Sequence, residues 1–181
     1  MSKNSFFNRI IQASKLDSNL YEEVEADKSA LGQAMAIVVL SSIACGIGLY
    51  KTGGFSGIIT GTLASLISWY VWAYLTYFIG TKFLPEPQTQ ADLGELLRTI
   101  GFSSSPGLLR VFYFVPGIGA LLYLISSFWM LVAMIIAVRQ ALDYNSTLRA
   151  VGVCVIGYVI HIFILVIIFS IFGGVLPEAT P

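Results

Sequence analysis

Long apolar runs separated by short polar breaks organise this chain. The first run covers about residues 30–49 and the second about 55–83, and the short "YKTGG" between them makes the two antiparallel neighbours. "LPEPQTQADLG" holds two prolines and polar residues unsuited to hydrocarbon, so it reads as a loop, with Asp92 as N-cap of a helix starting near Leu93. A third apolar stretch runs over 93–115 to the break "VPGIG". Residues 119–141 make a fourth, "ALDYNSTLRA" a polar turn, and residues 149–172 a fifth. Each is about the length a helix needs to cross a bilayer.

The third stretch is the irregular one. "LLRTIGFSSSPGLLRVFYFVPGIG" carries Ser103, Ser104, Ser105 and Pro106 near mid-membrane, with Arg98 toward one face and Arg110 toward the other. Both arginines have stems long enough to snorkel. Proline removes a backbone donor and clashes with the preceding turn, while serine hydroxyls can satisfy the groups it frees. The expectation is a kinked third helix packed inside the bundle.

Ahead of the first run, Phe6, Ile10, Ala13 and Leu20 fall on one helical face, widened by Phe7 and Ile11, with Arg9 and Lys15 supplying positive charge. That pattern reads either as an amphipathic interfacial helix on an anionic leaflet or as a partly ordered tail. Glu22, Glu23, Glu25 and Asp27 follow, as an exposed helical lead-in to the first span. No apolar h-region precedes them, so the pattern is not that of a cleaved signal peptide. The resulting division is 1–29 as an amphipathic, acidic cytoplasmic segment, 30–173 as the transmembrane domain, and 174–181 as a short tail whose only charge is Glu178.

Composition agrees with an all-α integral membrane protein: 56% of residues are hydrophobic and 11% charged, where soluble domains carry roughly 25% charged residues. Eight of the ten Lys and Arg residues fall on one side if the N-terminus is cytoplasmic and about five spans are counted, leaving Lys51 and Arg110 outside. This is the positive-inside asymmetry. Four spans would move Arg139 and Arg149 outside. Zero net charge offers no field for nucleic acid, and one histidine with two cysteines leaves little for a metal cluster. Cys45 and Cys154 lie in apolar runs and read as buried thiols. No cofactor is expected.

Several residues stand out as candidates. Gly53, Gly57, Gly61 and Ser65 recur every four positions, a small-residue stripe that predicts close helix packing. Glu95 and Arg98 are three apart on one helix, and Arg139 and Asp143 four apart beside Gln140, with Arg149 after the turn. They form a cytoplasmic polar cluster, read as helix-end pairing and positive-inside anchoring or as a contact for a headgroup or partner. His161, the single histidine, reads as a core residue or as a titrating switch. The serines lack a Gly-x-Ser-x-Gly elbow, and the glycine pairs lack the setting of a nucleotide site. Nothing here points to an enzyme.

Three stretches carry a family resemblance. "LYEEVEADKSALGQA", "ELLRTIGFSSSPGLL" and "IAVRQALDYNSTLRAVGVCVIGYVI" resemble the Yip domain, the Ypt/Rab-interacting membrane protein family, in its prokaryotic form, over about residues 20–172. The resemblance implies a five-helix membrane domain with a cytoplasmic N-terminus, in a bacterial-type plasma membrane with the C-terminus outside. Eukaryotic relatives bind prenylated Rab-type GTPases and carry a Leu-Tyr-Gly-Pro type motif. Leu20 and Tyr21 are present here but Gly-Pro is not, which counts against Rab-type GTPase binding. The leading functional reading is a non-enzymatic scaffold or adaptor that organises membrane lipid or recruits other membrane proteins, possible homo-oligomers included. The alternative is a small transporter or lipid-handling protein built on the kinked third helix.

Overall fold

The computed structural model describes residues 5–172, so Lys3, Gly173 and the 174–181 tail lie outside the described residues. Seven α-helices follow in order: α1 (Phe6–Ser14), α2 (Ser18–Ala26), α3 (Leu31–Gly48), α4 (Tyr50–Lys82), α5 (Leu93–Ser103), α6 (Gly119–Ala141) and α7 (Thr147–Phe172). No strand occurs among the described residues. Four helical stretches, Lys28–Gly48, Tyr50–Lys82, Gly119–Ala141 and Thr147–Ile164, are long and apolar enough to cross a membrane. The glycine turn expected between the first two runs lies inside α4, whose regular geometry breaks at Gly54 (φ 57°, ψ −163°), a left-handed conformation that glycine adopts without Cβ strain.

The expected third span is not one kinked α-helix. α5 has 11 residues and passes at Ser104 into a ten-residue 3-10 helix, Ser105–Phe114. The hydrogen bonds explain the change. Ser104 N–H turns to Gly101 O (3.2 Å), and Pro106, near the start of the 3-10 stretch, has no N–H to continue the α-pattern. Two carbonyls thereby lose their α-helical donors, and serines replace them: Ser103 Oγ donates to Ile100 O and Ser105 Oγ to Phe102 O, each at 2.7 Å.

This segment lies alongside α3 over most of that helix. Gly101 faces Ala34, Gly107 faces Ser41, and Gly48 faces the Arg110 carbonyl and Tyr113, so the two run parallel. On its other side Gly107 meets Met130, Arg110 bonds Ser127 and the Tyr113 and Tyr123 rings stand 5.5 Å apart, so α6 runs antiparallel to it.

The N-terminal segment corrects two expectations. α1 and α2 form a hairpin, bent at Leu16 (φ 63°), that packs on the bundle. Ala13, Leu20, Tyr21 and Val24 share a core with Ala34, Ile37, Phe102 and Ala137, and Phe6 and Ile10 pack against it. The predicted apolar face therefore meets protein, while Phe7 and Ile11 point outward. The acidic lead-in is a separate, half-sunk helix that ends at Asp27, whose side chain caps the 3-10 turn Lys28–Ala30. A second core joins Ala73, Ile79, Leu96, Val138, Leu142 and Val153. Cys154 is buried, Cys45 half-buried, and both are free thiols.

Candidate functional site

α3 and α4 meet where Gly46 faces Ile58 and where Ser65 reaches Ser42, but the glycines of the small-residue stripe face no such partner. A Cβ placed on Gly53, Gly57 or Gly61 would meet nothing within 4 Å. The stripe, expected to pack helix on helix, instead lines a groove of ≈ 580 Å³ between α3, α4, the 3-10 segment, α6 and α7. Gly61 and Ser68 are exposed, so the groove opens sideways.

Hydroxyls line one wall. Ser65 donates to Ser42 (3.1 Å), Ser42 to Thr62 (3.3 Å), and Thr62 to the Ile58 carbonyl (2.8 Å). Ser104 also lines the groove, whereas Ser103 and Ser105 are buried and spend their hydroxyls on their own helix.

Arg110 and His161 are the basic side chains of the lining, which also holds the Cys45 thiol and contains no carboxylate. Arg110 Nη2 donates to Ser127 Oγ at 2.9 Å and its guanidinium lies 4.9 Å from the Tyr123 ring centroid, a cation–π distance. Ser127 is itself held by donating to Tyr123 O at 2.7 Å. Trp72 and His161 meet edge to face at 5.9 Å. Among the described residues three buried side-chain nitrogens lack a hydrogen-bond partner, Arg110 Nε, Trp72 Nε1 and His161 Nδ1. All three residues line this groove. Such groups are costly away from water, so each is a side chain that an oxygen-bearing ligand atom would satisfy.

The predicted polar cluster divides into three parts. Glu95, Arg139, Gln140 and Asp143 line a cleft of ≈ 600 Å³ with Glu22, Glu25 and Gln88. Arg98 does not pair with Glu95. Glu95 forms a capping box with Asp92, accepting from Asp92 N (2.7 Å) while its own N–H donates to Asp92 Oδ1 (2.8 Å). Buried Arg98 donates to the carbonyls of Val24 (2.9 Å) and Glu25 (3.0 Å), satisfying the end of α2. Arg139 Nε turns to Tyr144 O (3.1 Å) and not to Asp143. Arg149 leaves the cluster, donating to Pro85 O (2.7 Å) and pairing with Glu86 (3.5 Å).

Burial, with Asp143, Glu95 and Glu22 nearby, pushes the Glu25 carboxyl up to about 7 against the opposing pull of Arg98. Backbone N–H groups of Asn145 first, then the Gln88 side chain, hold Glu86 below its ordinary range. Tyr144 is raised to about 12 by burial, and its hydroxyl donates to Gly80 O (3.0 Å) and Leu84 O (2.8 Å), fastening the α6–α7 turn to α4.

Reasoning from sequence placed Arg110 as a snorkelling anchor, read Trp72 only among the aromatics that can anchor a span at an interface, and gave Ser42 no role. An arginine inside an aromatic-rich apolar run was the available signal for Arg110. Nothing in the residue pattern announced that the glycine face would stand open. Residues 18–169 match the Yip1 domain. No curated protein and no solved structure matches the chain.

Proposed function

The chain belongs to the Yip1 domain family, and from that premise we propose that it is a five-pass, non-enzymatic membrane protein that organises bilayer lipid through its interior groove. The fifth crossing in this reading is α5 with its 3-10 continuation, supported by the pairing of Gly101, Gly107 and Arg110 with Ala34, Ser41 and Gly48. By rise per residue the two parts total about 36 Å, against roughly 30 Å of hydrocarbon. The N-terminus then lies in the cytoplasm and the C-terminus outside, in a bacterial-type plasma membrane, with most Lys and Arg residues inside.

The observation that carries the proposal is the groove itself, open sideways at the depth of the spans and lined by the three residues whose buried nitrogens lack a partner. At that depth the surrounding solvent is lipid, so lipid fills it. Brominated acyl chains quench indole fluorescence on contact. In a Trp129→Phe background, which leaves Trp69 and Trp72 beside the groove, brominated lipid should quench strongly, and Gly61→Leu, which fills the groove, should weaken that quenching by about half. Equal quenching in the two proteins would sink the reading.

An adaptor role is the second reading, favoured by the cleft around Glu25 and Gln88, where Gln140 Nε2 already holds Glu22 at 2.8 Å. A photo-crosslinker at Gln88 that captures only lipid or water in native membranes would count against it.

A further inference from the structure

The three unpartnered atoms do not ask for the same thing, and Arg110 asks for an anion. We propose that Arg110 is the headgroup clamp of a lipid site. The groove holds one anionic phospholipid of the non-cytoplasmic leaflet, its phosphate on Arg110 and an acyl chain along Gly57, Gly61 and Ser65 toward Trp69 and Trp72. This rests on the groove reading above and adds the chemistry of the occupant.

Position comes first. The Arg110 carbonyl lies against Gly48, the last residue of α3, so this arginine stands where the span ends and lipid phosphates begin. From Gly57 to Trp72 the floor of the groove is about 22 Å long by helical rise. That exceeds the roughly 15 Å half-thickness of a hydrocarbon core, so a whole acyl chain fits beneath the phosphate. The absence of a Cβ on Gly57 and Gly61, with nothing within 4 Å of either site, leaves the chain its track.

Charge comes second. The guanidinium is oriented by a neutral hydroxyl, Ser127 Oγ, and by the Tyr123 ring, and neither neutralises it. Its Nε has no partner and no carboxylate lines the groove. An unpaired cation inside a bundle is expensive, and a planar guanidinium on the groove lining fits two phosphate oxygens. His161 and Trp72 lie on the groove lining contributed by α7 and α4 and contribute no negative charge. The site is therefore matched to a lipid carrying phosphate and not to an uncharged glycolipid of the same chain length.

The test uses the full chain in detergent micelles doped with equal amounts of phosphatidylglycerol and a galactosyl diacylglycerol, with retained lipid counted by native mass spectrometry. The wild-type protein should keep one phosphatidylglycerol in preference to the glycolipid. Arg110→Gln should lower that retention about five-fold, and Arg110→Lys, which keeps the charge but loses the planar fork, should fall between. If the Gln variant does not fold, the Lys variant decides alone, and retention equal to wild type overturns the clamp. Undiminished phosphatidylglycerol in a folded Gln variant overturns it too. Inorganic phosphate, added to lipid-stripped protein, tests the other source of the same chemistry: heat stabilisation by phosphate with no lipid retained would show a soluble anion site and overturn the lipid. Brominated-lipid quenching separates the two levels. If it persists in Arg110→Gln with unchanged lipid preference, the clamp fails and the groove stands. If it is absent in wild type, the groove reading fails first.

Discussion

Arg9 Nη2 donates to Asp27 Oδ2 at 2.7 Å, tying α1 to the residue that ends α2. The same guanidinium reaches Glu23 Oε1 at 2.8 Å and Gln33 Oε1 at 2.9 Å. It is therefore the bolt between the N-terminal hairpin and the start of the bundle. Arg9 is 1% exposed while Glu23 and Asp27 are 35% and 23% exposed, so removal leaves half-solvated carboxylates and not buried ones. Arg9→Gln should cost about 1–3 kcal/mol of hairpin docking. Hydrogen exchange in detergent should show amides of α1 and α2 exchanging at least several-fold faster, with α6 unchanged.

Docking of α2 should also depend on pH through Glu25. Its carboxyl in the folded protein titrates at about 7 against an ordinary value of 4.5, because of burial first and then Asp143, Glu95 and Glu22, with Arg98 opposing. The folded state thus holds a proton that the undocked state has released. This contribution is complete below the ordinary value and is lost as pH rises through about 7. Asp27 acts in the opposite sense: Ser29 first and then Arg9 lower its pKa, so its contribution fades only as pH falls through the acid range. Between pH 5 and pH 8 protection of α2, corrected for intrinsic exchange, should therefore decrease. Glu25→Gln should flatten that slope, and a slope that survives the substitution would contradict the assignment.

Four of the five expected runs were legible as long apolar helices because lipid burial demands such runs, and the loops because prolines and charges cannot stay there. Asp92 was legible as a cap because "DLGE" places Glu95 at the reciprocal position. The pairings were not. Glu95 and Arg98 share a helix face, yet each has a stronger claim elsewhere, Glu95 on the Asp92 amide and Arg98 on the open carbonyls of α2. Spacing reveals which face small residues occupy but not what that face meets. The stripe from Gly53 to Gly61 borders open groove, whereas Gly101 and Gly107, which form no stripe, sit against Ala34 and Ser41. Ala34, Ser41 and Gly48 recur every seven residues on α3, a seam visible only once its partner is known.

That contrast can be measured. A Cβ on Gly107 would collide with Ser41 Oγ and with Met130, and one on Gly101 with Ala34 backbone and side chain. Gly101→Ala and Gly107→Ala should each destabilise the bundle by about 1–3 kcal/mol through overpacking. Gly57→Ala should be neutral or slightly stabilising, since the new methyl meets nothing and helix propensity improves. Thermal denaturation in one detergent would rank the three. A loss at Gly57 as large as at Gly107 would mean that the stripe packs against a second copy of the chain.

The α to 3-10 switch yields a double-mutant prediction. Phe102 O lies four residues before Pro106, whose nitrogen has no hydrogen, and Ser105 Oγ takes the vacant place at 2.7 Å. Ser105 and Phe102 are 2% and 0% exposed, so water cannot substitute. Ser105→Ala should leave the carbonyl unpaired and cost about 1–3 kcal/mol. Pro106→Ala alone should change stability little, because the hydroxyl already serves the carbonyl and the 3-10 segment is held by α3 and α6. In the Pro106→Ala background, however, the restored N–H can reach Phe102 O, and Ser105→Ala should then cost less than about half as much. The coupling between the two sites is the readout. Strict additivity would mean that serine and proline act independently, and that the 3-10 form is imposed by packing against Ser41 and Met130 and not by the missing donor.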